Sequence, residues 1–125
     1  MGFQIVTNNP RLKDQDDVIF VEGGFKDVLI HVRDMVYSGY ELISHPLFAS
    51  SRMMFSPFRS ILVGPKRDKI STFECECIEN SILSYENNTA MRRRQPEHDD
   101  DYAYVDKMLL DAAIDEYKML HPEMY

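Results

Sequence analysis

Apolar residues in this chain fall into two kinds of pattern. Four short continuous runs, FQIVT at 3–7, VIFV at 18–21, YELIS at 40–44 and RSILV at 59–63, carry β-branched residues and end at turn formers. Asn8-Asn9-Pro10, Glu22-Gly23-Gly24, His45-Pro46 and Gly64-Pro65 supply those stops. Such runs read as strands, and an uninterrupted one such as VIFV suits a strand covered on both faces. Three longer segments follow the helical i, i+3, i+4, i+7 rule. The first is Phe25, Val28, Leu29, Val32, Met35 and Val36, with Gly39 beyond its end. The second is Phe73, Cys77, Ile78, Ile82 and Tyr85, opened by a Ser71/Glu74 capping box. The third is Tyr102, Val105, Leu109, Ala112, Ala113 and Leu120, behind three aspartates suited to a helix N-terminus.

Alternating strands and helices predict an α/β fold: a small, mainly parallel sheet of about four strands with helices packed on it in Rossmann-like layers. The strand, helix, strand order over 18–44 implies a right-handed crossover and a parallel pair. Asn9 before Pro10 predicts a capped short helix or turn. Residues 47–58 show no period and read as a long loop, and the direction of the strand after it is open. Phe48, Met53, Met54, Phe55 and Phe58 make that loop either a lid over the sheet or a surface for a partner or a second copy of the chain. Residues 91–99 read as a polar linker before the last helix. With 125 residues, a single domain over 1–125 is expected.

Charge and composition narrow the classes of function. A formal net charge of −7 argues against nucleic acid as a partner, and the acidic residues that follow Arg92-Arg93-Arg94 offset that basic cluster. No apolar run approaches a bilayer span and the N-terminus lacks a signal-peptide pattern, so a cytoplasmic protein is expected. Cys75 and Cys77 lie two apart on a helix, where side chains point about 200° apart, which disfavours both a disulfide and a shared metal. No two histidines have metal-ligand spacing, and neither a dinucleotide fingerprint nor a P-loop occurs, so neither metal nor cofactor is expected.

In α/β sheets ligands gather beyond the C-terminal ends of strands. The residues there are Asn8, Asn9, Gly23, Gly24, His45, Ser50, Ser51 and Arg52. Gly23-Gly24 opens a helix and could present N–H groups to an anion, although a plain turn explains the pair as well. His45, with serines and arginines around it, could contact a carboxylate or phosphate or act as a base, and a loop-fixing hydrogen bond explains it equally well. No catalytic residue is assigned.

Three segments, IVTNNP at 5–10, FVEGGFKDVLIHVRDMVYSGYELISHPL at 20–47 and SPFRSILVG at 56–64, together resemble the GrdX family of small proteins encoded with the glycine reductase system of amino-acid-fermenting anaerobes. The resemblance implies association with glycine, sarcosine or betaine reduction and with glycine reductase components as partners, rather than a particular reaction. The expected role is a non-catalytic accessory or regulatory protein. The alternative is a small-anion-binding domain, or an enzyme using the loop histidine at the strand rim.

Overall fold

The structure, a computed structural model, describes residues 2–49, 51–89 and 96–123, with the backbone alone described for Ser51 and Arg52. In chain order the elements are β1 (Gln4–Thr7), a 3-10 turn (Pro10–Leu12), β2 (Val18–Phe20), α1 (Phe25–Tyr37) and β3 (Tyr40–Leu42). A second 3-10 turn (Ser51–Phe55), β4 (Ser60–Lys66), α2 (Thr72–Thr89), a third 3-10 turn (Pro96–His98) and α3 (Asp99–Leu120) follow. Residues 91–95 of the predicted linker lie outside the described residues, and the remainder is the third turn and the start of α3.

The four strands form one sheet of order β2-β1-β4-β3. Only β1 and β2 pair in parallel, while β4 is antiparallel to both its neighbours, β1 and β3. The expectation of a mainly parallel sheet is therefore corrected to a mixed one, and the expected Rossmann-like layering loses its support from strand direction. β2 and β3, the strands flanking α1, run the same way but occupy opposite edges and are not a hydrogen-bonded pair. The cause lies between β3 and β4. A parallel neighbour needs a crossover that carries the chain back along the sheet, usually a helix. Residues 43–59 hold one short turn, leave β3 and re-enter beside the end of β1, so β4 has to run backwards. It also runs through Gly64-Pro65, the expected stop. Tyr40 pairs with Lys66 and Leu42 with Val63, which leaves an extra residue on β4 and makes a bulge that accommodates a proline without an N–H to donate.

Strand alternation sends side chains to two apolar clusters. Val6, Ile61 and Val63 pack with α1 and α2 through Phe25, Val28, Leu29, Val32, Ile78 and Ile82. Ile5 and Leu62 pack with Leu12 and with Leu110 of α3. Phe48 and Met54 of the long loop are buried, and Phe48, with the half-buried Leu47 and Met53, closes over the first cluster. Tyr85 stacks on Phe25 with ring centroids 4.5 Å apart.

Two helix faces differ from those the pattern predicts. In α2 the buried residues are Cys75, Ile78, Ser81 and Ile82, whereas Phe73 is 79% exposed. Ser81 is tolerated in this buried position because its hydroxyl donates to the Cys77 carbonyl at 2.7 Å. In α3 the buried residues are Ala103, Asp106, Leu110 and Tyr117, about one position round the helix from the predicted face, and Leu109 and Leu120 are exposed. A buried aspartate in the middle of that face breaks the apolar period. The Ser71/Glu74 box is half-formed. Ser71 Oγ accepts from the Glu74 N–H at 3.2 Å, but the Glu74 carboxylate accepts from the Leu42 N–H at 3.0 Å and from Arg67 at 2.6 Å. The side chain thus covers a free backbone donor at the exposed edge of β3.

The reassigned α2 face has a direct consequence. Ile78→Ala should lower unfolding free energy by about 2–5 kcal/mol, while Phe73→Ala should stay within about 0.5 kcal/mol of the parent. Urea denaturation of the two variants measures both, and a larger cost for Phe73→Ala would contradict this packing.

Candidate functional site

The end of β1 carries two asparagines whose side chains face inward. Asn8 Oδ1 accepts from the Arg59 N–H at 3.0 Å, and its Nδ2 donates to the Gly23 carbonyl at 3.0 Å and the Pro57 carbonyl at 2.8 Å. One side chain therefore joins the exits of β1 and β2 to the entry of β4. Asn9 Oδ1 accepts from Arg11 N–H at 3.0 Å and caps the 3-10 turn, as the Asn-Pro signal predicts. Its Nδ2 reaches α3, donating to the Ala103 carbonyl and to Asp106 Oδ2, both at 2.9 Å.

Asp106 is the centre of this network and has no solvent exposure. Its Oδ1 accepts from the Ser60 N–H at 3.0 Å, and its Oδ2 accepts from Ser60 Oγ at 2.6 Å as well as from Asn9. A carboxylate oxygen only accepts, so the Ser60 hydroxyl proton is committed to Asp106. The 2.7 Å contact between Thr7 and Ser60 then has Thr7 Oγ1 as donor, and Thr7 Oγ1 in turn accepts from the Asn9 N–H at 2.9 Å. The hydroxyls form a closed relay directed at the carboxylate, which satisfies a buried charge with oriented dipoles.

Gly23 and Gly24 lie at the same rim before α1. The Asp27 carboxylate accepts from the Gly24 N–H at 2.7 Å, so the chain's own side chain sits where a helix N-terminus attracts an anion. Gly23 has φ +132°, and a Cβ there would collide with the Asp27 carboxylate, so the absence of a side chain at Gly23 makes room for it.

His45 is exposed, and its Nδ1 accepts from the Leu47 N–H at 3.0 Å. The same nitrogen lies 3.3 Å from the Leu47 carbonyl oxygen, so both contacts of the ring are to the backbone of its own loop. The ring lines two clefts. One, of about 420 Å³, lies against α2 and includes Glu76, Cys77 and Asn80. The other, of about 480 Å³, lies against α3 and includes Ser44, Glu116 and Tyr117. Ser50 falls outside the described residues, and Ser51 and Arg52 are placed by their backbone in the turn after the His45 loop. Cys75 and Cys77 are both free thiols. Burial, with the neighbouring Glu74 and Glu79 carboxylates, pushes the Cys75 thiol up from its ordinary value. Among the described residues no cluster of histidine, cysteine, aspartate or glutamate could hold a metal ion, and no helix is long and apolar enough to cross a membrane.

Arg59, read from sequence only as a neighbour of His45, is 7% exposed. Its Nε donates to the Pro46 carbonyl at 2.8 Å, its Nη2 to the His45 carbonyl, and its guanidinium lies 4.2 Å from the Phe48 ring centroid. Burial pushes its pKa down from the ordinary arginine range to about 10, and the Asp106 charge works in the opposite direction. The group stays cationic at neutral pH. Thr7, Ser60 and Asp106 were not singled out by sequence. The one available signal was a polar residue at position 106, in step with Ala103, Leu110 and Tyr117.

The family model described as GrdX-like protein matches residues 4–115. The chain belongs to the GrdX-like family. The match runs from β1 through most of α3, so both ends of the Asn9–Asp106 tie lie within it. The family's name suggests an association with the glycine reductase system. Neither a curated protein nor a solved structure matches the chain.

Removal of the central acceptor tests the network. Asp106→Ala leaves the Ser60 N–H without a partner and takes one acceptor from Asn9 Nδ2. It should cost about 3 kcal/mol, a fall in Tm of the order of 10 °C for a domain of this size. Differential scanning calorimetry reads the change directly, and a loss of only a degree or two would mean that the buried carboxylate adds little.

Proposed function

We propose that this protein is a non-catalytic accessory or regulatory component of a glycine, sarcosine or betaine reductase system, acting by association with the reductase components. The observation that carries the reading is the family match over residues 4–115. The geometry supports it in one respect. General acids, bases and nucleophiles need a lone pair or a proton free for substrate. Asn8, Asn9, Thr7, Ser60 and Asp106 instead have theirs committed to one another or to backbone groups.

The experiment is sedimentation velocity of the purified protein with each purified component of the reductase system, followed by turnover assays with and without it. Formation of a complex with at least one component, or a change in turnover or stability of the reductase on addition, is the expected result. Absence of any complex and of any effect on the reductase would end the accessory reading.

A second reading, a small-anion-binding domain or an enzyme using the loop histidine, draws support from His45, whose Nε2 has no partner among the described residues and which lines two clefts. In His45→Ala such a site would lose the imidazole altogether. A ligand-induced thermal shift that survives this substitution would exclude the histidine as contact.

A further inference from the structure

Arg59 is a buried cation without a buried anion beside it. Its two hydrogen bonds go to neutral backbone carbonyls, those of His45 and Pro46. Among the described residues no carboxylate lies within ion-pair distance of it. Asp106, the nearest countercharge acting on it, has its oxygens covered by Ser60 and Asn9. A guanidinium has five N–H groups in a planar fork, and three of these have no partner among the described residues. The Nη1 atom that carries two of them is not among the sealed, unpartnered atoms of the described residues, so these N–H groups are open to water or to an oxyanion, the group whose geometry matches the fork.

The space for one is present. Arg59 lines a cleft of about 160 Å³ with the Ser44 side chain, walled by Leu47, Ala49, Leu109 and Ala113. Ser44 Oγ accepts from the Leu62 N–H at 2.9 Å and keeps its own proton to give. The volume is well under the roughly 300–1,000 Å³ of sites for drug-sized ligands, so a nucleotide or a large cofactor does not fit.

We infer that the cleft beside Arg59 binds a short-chain monocarboxylate, its carboxylate on the Arg59 fork and the Ser44 hydroxyl, its hydrocarbon tail against the leucine and alanine walls. A carboxylate matches the fork in two parallel bonds. Inorganic phosphate matches it too, but its remaining oxygens would face apolar walls without partners. The inference deepens the anion-binding reading, with Arg59 rather than His45 as the anchor, and does not depend on the accessory role.

Calorimetric titration and thermal shift of the full chain with sodium butyrate test it, alongside sodium phosphate and sodium chloride at matched ionic strength. Butyrate should bind saturably and raise Tm, and the two inorganic salts should not. Ala113→Leu narrows the cleft without touching the guanidinium and keeps a good helix former in α3. It should abolish the response while circular dichroism stays unchanged. Arg59→Lys, which replaces the fork with a point charge, should weaken butyrate by about tenfold or more. No saturable response to butyrate, an undiminished response in Ala113→Leu, or saturable binding of phosphate in place of butyrate would each overturn the inference. Binding to reductase components measured without added carboxylate reads the accessory role separately, so either can fail while the other stands.

Discussion

A carboxylate taken out of water beneath a sheet needs a donor at each oxygen, and Asp106 obtains its donors from Ser60 at the start of β4 and from Asn9 in the loop after β1. This requirement fixes the lower half of the fold. Ser60 can serve Asp106 through both its N–H and its hydroxyl only where β4 begins. Asn9 can reach it only where β1 ends, and the antiparallel pairing of Thr7 with Ser60 brings those two points together. α3 is thereby held at one height and one rotation on its face of the sheet, with Leu110 one turn further on against Ile5 and Leu62. Apolar packing alone would tolerate a shift of the helix along its axis; the hydrogen bonds would not.

The same rim shows how a cluster of polar residues at strand ends can serve architecture rather than ligands. Loops that cross the end of a sheet leave backbone groups without ladder partners, and buried ones must be paired. Asn8 supplies partners to three such groups, on 23, 57 and 59, and Asp27 covers the first turn of α1. What remains available to solvent chemistry is smaller than the list of polar residues suggests: the His45 ring between two clefts, and the unpaired part of the Arg59 fork. Both lie on the β4 side of the rim, connected through the bond from Arg59 to the His45 carbonyl. Any occupant of the Arg59 cleft would therefore be felt in the His45 loop.

Much of the local structure was legible. The first three apolar runs and the α1 stripe became β1, β2, β3 and α1 within a residue or two, because short-range periodicity and the glycine and proline stops act locally. The Asn9-Pro10 cap was legible for the same reason. The helix faces were less so. Phe73 counts as apolar in any periodic reading, yet α1 selected Cys75, and at the centre of the α3 face the expected leucine or valine is replaced by Asp106. Of the candidate residues, Asn8 and Gly23 meet through a hydrogen bond at the ends of β1 and β2, but the partners of the asparagines were not visible. Asp106 is 97 residues from Asn9 and Arg59 is 51 from Asn8, and spacing along a chain carries no information about such pairs.

The sequence by itself determined which segments are strands and helices and which family the chain resembles, because these depend on side-chain patterns over a few residues. Tertiary structure alone decided the direction of β4, the rotation of α2 and α3, and the assignment of polar residues to the interior or to solvent. Each of those depends on which groups meet across the sheet once the chain closes. There, pairing a buried carboxylate and burying one apolar face rather than another outweigh the local preferences from which the pattern is read.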